Sequence, residues 1–209
     1  MSNLVEARVR IRGTRPLMWH AFGPDSIPLE KQERTGVAGN DPEEWRKTVL
    51  CNKQGQLFIR GDYVFGCLAG KDGAARYTKH GRATLLNPVR ATLQVGEDRI
   101  MLNRVMPGAN GSYDPDTAEP PDTDPDEPVY LDIRSCVNPN TRSRNVRYRV
   151  TASPGWECEF TLQWDKTIVS RPQMEAIMMD AGRLVGLADG RNIGMGRFSV
   201  ESFDVTELG

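Results

Sequence analysis

Residues 4–12, LVEARVRIR, place Val5, Ala7, Val9 and Ile11 on one face and Glu6, Arg8, Arg10 and Arg12 on the other. That period of two is the pattern of a half-buried strand. It recurs in WECEFTLQW, where Trp156, Cys158, Phe160, Leu162 and Trp164 oppose Glu157, Glu159, Thr161 and Gln163. VYLDIRSCV sets Val129, Leu131 and Ile133 against Tyr130, Asp132 and Arg134, and VRYRVT sets Val146, Tyr148 and Val150 against Arg147 and Arg149. With the turn-rich NPNTRSRN between them, the two segments predict a long hairpin.

The helical period marks a different segment. Met174, Ile177, Met178, Ala181, Leu184 and Val185 recur at spacings of three and four. Ser170 stands at the N-cap, Pro172 in the first turn and Gln173 at the capping-box position, so a helix is predicted to run to Gly186. A strand, RFSVESFDV, closes the chain. Upstream, Leu57–Ile59 reads as a brief strand entering a helix from about Asp62 to Tyr77, with Val64, Cys67, Leu68 and Ala75 as its apolar stripe. Gly66, Gly70 and Gly73 each cost about 1 kcal/mol inside a helix relative to alanine, which predicts a close backbone approach there. PVRATLQV and DRIMLN read as two strands, and DPEEWRKTVL as a short helix with Asp41 and Pro42 at its start.

The resulting skeleton is strand, helix, strand, strand, helix, strand. It predicts an α+β fold of ferredoxin-like or RNA-recognition-motif topology, an antiparallel sheet with two helices packed on one face. A single domain over 1–209 is expected, with insertions at about 13–56 and 96–128 and the hairpin at 129–152.

Charge changes this picture in two places. The net charge of −1 conceals segregation, because DPDTAEPPDTDPDEP (114–128) holds seven acids and no base. The rest of the chain has 27 bases against 21 acids, a net of +6. With five prolines and almost nothing apolar, 114–128 reads as a mobile surface loop, or as a polyanion competing for the protein's own basic surface. In the hairpin, Arg134, Arg142, Arg144, Arg147 and Arg149 follow one another with no acid among them. A polyanion lying across that face accounts for the clustering, with Tyr148 and Asn138 nearby, and a solvated hairpin is the alternative.

The second place is DGRNIGMGRFSV (189–200). Gly190, Gly194 and Gly196 could turn backbone N–H groups toward an anion, and Arg191 and Arg197 add forked donors suited to phosphate. The segment leads from helix to strand, so it is neither a Walker A loop nor a dinucleotide fingerprint. A tight C-cap is the alternative.

Other chemistry is sparse. Cys51, Cys67, Cys136 and Cys158 form no CxxC pair, and there are two histidines, so no metal site and no cofactor are expected. The charged start MSNLVEARVRIRG is not a signal peptide, and no apolar run reaches membrane-spanning length, which predicts a cytoplasmic protein.

The capped helix, the loop GRNIGMGRF and the final strand resemble the C-terminal signature of the repeat-associated mysterious protein superfamily, the RNA-binding subunits of CRISPR effector complexes. FIRGDYVFGCLAGKDGAAR is similar to that superfamily's first-helix segment, with Arg60, Gly61 and Asp62 in place of its Pro-Gly-Ser. The backbone-type subunits, which carry a hairpin insertion, fit best. The resemblance implies a non-enzymatic protein that polymerises along single-stranded RNA, or single-stranded DNA, as a homo-oligomer or in a multi-subunit complex. It implies that Gly190, Arg191, Gly194, Gly196 and Arg197 lie near that strand. Trp19, Tyr148 or Phe198 are the aromatic side chains expected to stack bases, as in other single-strand binders. Two alternatives remain: a metal-independent endoribonuclease using His20 or His80, and a structural or assembly protein of a phage or mobile element.

Overall fold

A computed structural model describes residues 3–23, 40–137 and 142–208. In it Val5, Ala7, Val9 and Ile11 are fully buried on one face of β1 (Leu4–Gly13), while Arg8, Arg10 and Arg12 are exposed on the other. β10 (Glu157–Asp165) runs antiparallel beside it, pairing Val9 with Phe160 and Ile11 with Cys158. On its other side β11 (Phe198–Glu207) pairs Gly13 with Phe198 and Ala7 with Val205. β7 (Arg99–Val105) and β3 (Gln56–Arg60) extend the sheet in the order β11-β1-β10-β7-β3, and β6 (Gln94–Val95) also pairs with β10.

Two helices bury their apolar stripes, Val64, Cys67 and Leu68 of α2 (Gly61–Ala69) and Met174, Ile177 and Met178 of α4 (Arg171–Asp180). The order last, first, third, second of the core strands, with helices after the first and third, is the ferredoxin-like arrangement. The fold is α+β with antiparallel sheets, as the hydrophobic pattern predicts.

The chain divides into two compact units. The first, Met1–Leu17, Phe58–Asn103 and Pro154–Gly209, holds most of that sheet and both helices. The second, Met18–Leu57 and Arg104–Ser153, draws its residues from the insertions and the hairpin. It contains α1 (Glu44–Thr48) and the hairpin of β8 (Val129–Val137) and β9 (Arg144–Ala152), with β2 (Leu17–Met18) paired to β9. Trp19, Trp45, Val150 and Ala152 are fully buried there.

Three expectations are corrected. PVRATLQV is not a strand, because Leu86–Thr92 form helix α3 and only Gln94–Val95 are extended. Pro88 lies in the first turn of α3, where its missing N–H costs nothing. Leu85, Val89 and Leu93, at spacings of four, bury one side.

The helix expected to reach Tyr77 ends at Ala69, and a separate 3₁₀ turn covers Ala74–Arg76. A Cβ on Gly73 would stand 2.7 Å from Leu68 O. The close approach expected of the three glycines is present at Gly70, where a Cβ would stand 2.4 Å from Gly66 O, and at Gly73, but not at Gly66, where it meets nothing within 4 Å; another lies at Gly61, 2.2 Å from Glu97 O.

The acidic segment is tied down rather than free. Arg46 Nη1 donates to Pro115 O and, at 2.6 Å, to Ala118 O, and Leu131 N donates to Asp122 O at 2.7 Å. Asp114, Asp122 and Asp124 each accept from the backbone N–H two residues on, at 2.9–3.1 Å. Those aspartates therefore build consecutive turns, and Pro121 is buried beneath them. Among the described residues no helix is long and apolar enough to cross a membrane.

Candidate nucleic-acid interface

α4 opens with the capping box, Gln173 Oε1 accepting from Ser170 N at 2.9 Å and from Ser170 Oγ at 3.0 Å. After Asp180 the helix widens into a π turn over Ala181–Val185 and stops at Gly186, whose φ is +82°. The π turn brings Gly182 so close to β11 that a Cβ would stand 2.2 Å from Phe198 O. π turns of this kind recur at functional sites because the extra residue re-aims its neighbours.

The glycine-rich loop then folds back. Gly190, Gly194 and Gly196 have φ of +72°, +84° and +68°. Their backbone does not form the anion nest considered from sequence. Gly194 N donates to Arg191 O at 3.1 Å, Met195 N to Gly190 O at 3.1 Å and Gly196 N to Pro16 O at 2.7 Å. The glycines serve turn geometry and contact instead, since a Cβ on Gly196 would stand 2.0 Å from Leu187 O.

Thr14 N and Arg15 N both donate to Arg197 O, at 2.8 and 3.2 Å, and Trp156 Nε1 donates to Arg15 O at 2.8 Å. These bonds seat the segment after β1 against the loop and open a cleft of about 570 Å³. Arg15, Arg183 and Arg197 line it together with Met179, Phe198 and Gly194. Arg197 Nη1 is buried with no hydrogen-bond partner.

Among the described residues the side chains of Arg15, Arg183 and Arg197 face no carboxylate within salt-bridge distance. Elsewhere in the molecule Arg8, Arg10, Arg12, Arg46, Arg60, Arg76, Arg134, Arg147 and Arg171 all have one. Three guanidinium groups without a carboxylate partner thus line one cleft, an arrangement that attracts an anion. Burial pushes the Cys67 thiol up to about 12 against the pull of Arg191 and Arg197, and its Sγ lies 3.7 Å from Ala181 O. It is a packed thiol rather than a nucleophile.

No family model matches the chain, and no curated protein does. Among solved structures, a chain of the Type III-B Cmr-beta complex bound to cognate target RNA, determined by cryo-EM, is similar at a TM-score of 0.46 and 11% identity. The alignment covers 98% of this chain and 61% of that one, so this chain spans less than two thirds of the neighbour's length.

The hairpin arginines lie in the other unit. Arg134 stands directly opposite Arg147 across the β8–β9 ladder, and Asp132 opposite Arg149. Neighbours within the unit offset much of this charge: Asp132 binds Arg134, and Glu44 Oε1 accepts from Arg147 Nη1 at 2.8 Å. Arg149 is buried, with Nη1 3.5 Å from Cys136 Sγ. Arg142, at φ +59°, and Arg144 are the exposed pair. Asn138 lies outside the described residues. Of the aromatics, Trp19 and Phe198 are buried in the cores, at 0% and 3% exposure, and cannot stack an incoming base, while Tyr148 is half-buried.

His20 Nε2 lies 3.0 Å from Glu44 Oε1, and Tyr148 N donates to Glu44 Oε2 at 3.1 Å. Burial raises the Glu44 pKa, but the hydrogen bonds from His20 and Tyr148 and the charge of Arg147 outweigh it and hold the carboxyl below its usual range. The backbone of His80 lies in β4 (Lys79–His80), and its side chain is outside what the structure describes. Among the described residues no three His, Cys, Asp or Glu side chains gather as a metal site.

Sequence reasoning missed Arg15, Arg183 and Glu44. Arg15 follows a strand end rich in glycine and proline, and Arg183 is one polar residue on an amphipathic helix. Only the π turn and the Trp156 anchor bring them to Arg197.

Proposed function

We propose that this protein is an RNA-binding subunit of a CRISPR-type ribonucleoprotein. It lies along single-stranded RNA together with further copies or other subunits, and has no catalytic activity of its own. The observation that carries this reading is the cleft, lined by the unpaired guanidinium groups of Arg15, Arg183 and Arg197 together with Met179, Phe198 and Val200. A phosphodiester backbone lying in it supplies acceptors, and arginine forks suit its oxygens. The resemblance of the first-helix and glycine-loop segments to the repeat-associated mysterious protein superfamily supports RNA as the strand and an assembled ribonucleoprotein as the setting.

Filter binding of single-stranded RNA over a salt series tests the proposal. Single strands release counterions with a slope of about −0.7 per phosphate neutralised. Arg15→Ala, Arg183→Ala and Arg197→Ala should each weaken binding and flatten the slope by roughly that amount. A salt-independent wild type, or variants with unaltered slopes, would sink the proposal.

A further inference from the structure

Phe22 is the most exposed large apolar side chain among the described residues, at 68%. Single exposed apolar residues are common and need no explanation. Phe22 differs in how firmly it is presented. Trp19 N donates to Val150 O at 3.0 Å and Ala21 N to Thr48 O at 2.9 Å, which fastens the strand before it to β9 and α1. The His20 ring meets the Phe22 ring nearly perpendicularly, with centroids 5.1 Å apart and 82° between the planes. His20 is itself held by Glu44, whose Oε1 also takes Arg147 Nη1. A network running through α1 and β9 therefore braces an aromatic ring and leaves most of it open.

We infer that Phe22 is a stacking platform for a nucleobase of a single strand. This rests on the proposal that the protein binds single-stranded nucleic acid, and adds a base contact to the phosphate contacts of the arginine cleft. Every base has a π face, so a lone aromatic platform reads no sequence. An apolar protein partner fits the site poorly. The brace behind the ring is an imidazole, a carboxylate and a guanidinium, polar surroundings that suit a nucleobase stacked ring to ring.

The experiment compares the intact chain, Phe22→Ala and Phe22→Trp on a single-stranded RNA of mixed sequence and on the same strand carrying abasic sites. Phe22→Ala should bind the intact strand roughly 5- to 150-fold more weakly, the loss expected for one stacked base, with its salt slope unchanged. Phe22→Trp should restore affinity. Trp19, Trp45, Trp156 and Trp164 are all fully buried, so base-induced quenching of the F22W emission reads this site specifically. The abasic strand should bind the wild type more weakly and show no further loss with Phe22→Ala. Unchanged affinity in Phe22→Ala, or equal discrimination against abasic strands by wild type and variant, overturns the stacking assignment while leaving the arginine cleft standing. Failure of the wild type to bind either strand would remove the parent proposal instead.

Discussion

Glu44 is 8% exposed and accepts from the imidazole of His20 and from the guanidinium of Arg147 and the backbone N–H of Tyr148, both on β9. A carboxylate in that position stabilises the fold only while ionised. Its pKa is depressed in the folded state, so its contribution is complete well above the usual glutamate value of about 4.3 and is lost as pH falls through the lower folded value. Thermal unfolding followed from pH 7 to pH 3 should show the wild type losing stability on the acid side. Glu44→Gln should be destabilised at pH 7 by about 1–3 kcal/mol, the cost of weakening hydrogen bonds to a buried acceptor, and should show a shallower acid limb. Glu157, Asp165 and Glu207 are depressed as well and keep part of that limb in the variant. An acid limb identical in both proteins would contradict the assignment. Glu44 was not legible in the sequence, because it and Arg147 are 103 residues apart and nothing local marks either as half of a pair. The hairpin arginines were legible as a run of charge, but their intramolecular partners were not.

Among the elements, alternation and caps were readable wherever a segment buries one clean face. β1, β10 and α4 follow their apolar periods, whereas the β8–β9 hairpin departs from its own, with Ile133 48% exposed and Tyr130 and Arg149 buried. The pattern fails where proline or glycine must be placed in three dimensions. Pro88 reads as a strand start and proves to be the first turn of α3. The glycines of α2 look alike in sequence yet differ in what surrounds them. Gly66, with open space at its Cβ position, should accept alanine with a gain of roughly 0.5–1 kcal/mol from helix propensity. A Cβ on Gly182 in the π turn would stand 2.2 Å from the carbonyl oxygen of Phe198 and 2.8 Å from its ring. Gly182→Ala should destabilise by about 1–3 kcal/mol, as overpacking does, and weaken RNA binding by pushing the π turn from β11 and spreading the cleft. Denaturant titration of both variants, with filter binding alongside, checks the pair. A Gly182→Ala protein as stable and as active as wild type would mean that the π turn does not set the cleft.

For the molecule as a whole, the decisive contrast lies between arginines that have partners and arginines that do not. The charged face of the sheet, which the topology alone would offer as a nucleic-acid platform, is laced shut. Arg8 pairs with Glu159 at 2.5 Å, and Arg10 and Arg12 with Glu157 at 2.7 and 2.8 Å. Gln163 adds a bond to Glu6 at 2.7 Å. Glu157 is held below the usual carboxylate range first by its hydrogen bond from Arg10. Sequence alternation correctly put Arg8, Arg10 and Arg12 on the outer face, but the register that sets Glu157 and Glu159 beside them exists only in the folded sheet. These arginines should therefore contribute little to RNA affinity. Arg8→Gln, Arg10→Gln and Arg12→Gln, singly or together, should leave the salt slope of binding where the wild type has it, unlike substitutions at Arg15, Arg183 or Arg197. Removing the acids instead should have the opposite effect. Glu157→Gln with Glu159→Gln frees three guanidinium groups on one surface and should steepen the slope and raise affinity at low salt, where such charges are least screened. If the three outer arginines prove as important as the cleft arginines, the strand runs over the sheet and the ion-pair ladder opens to receive it.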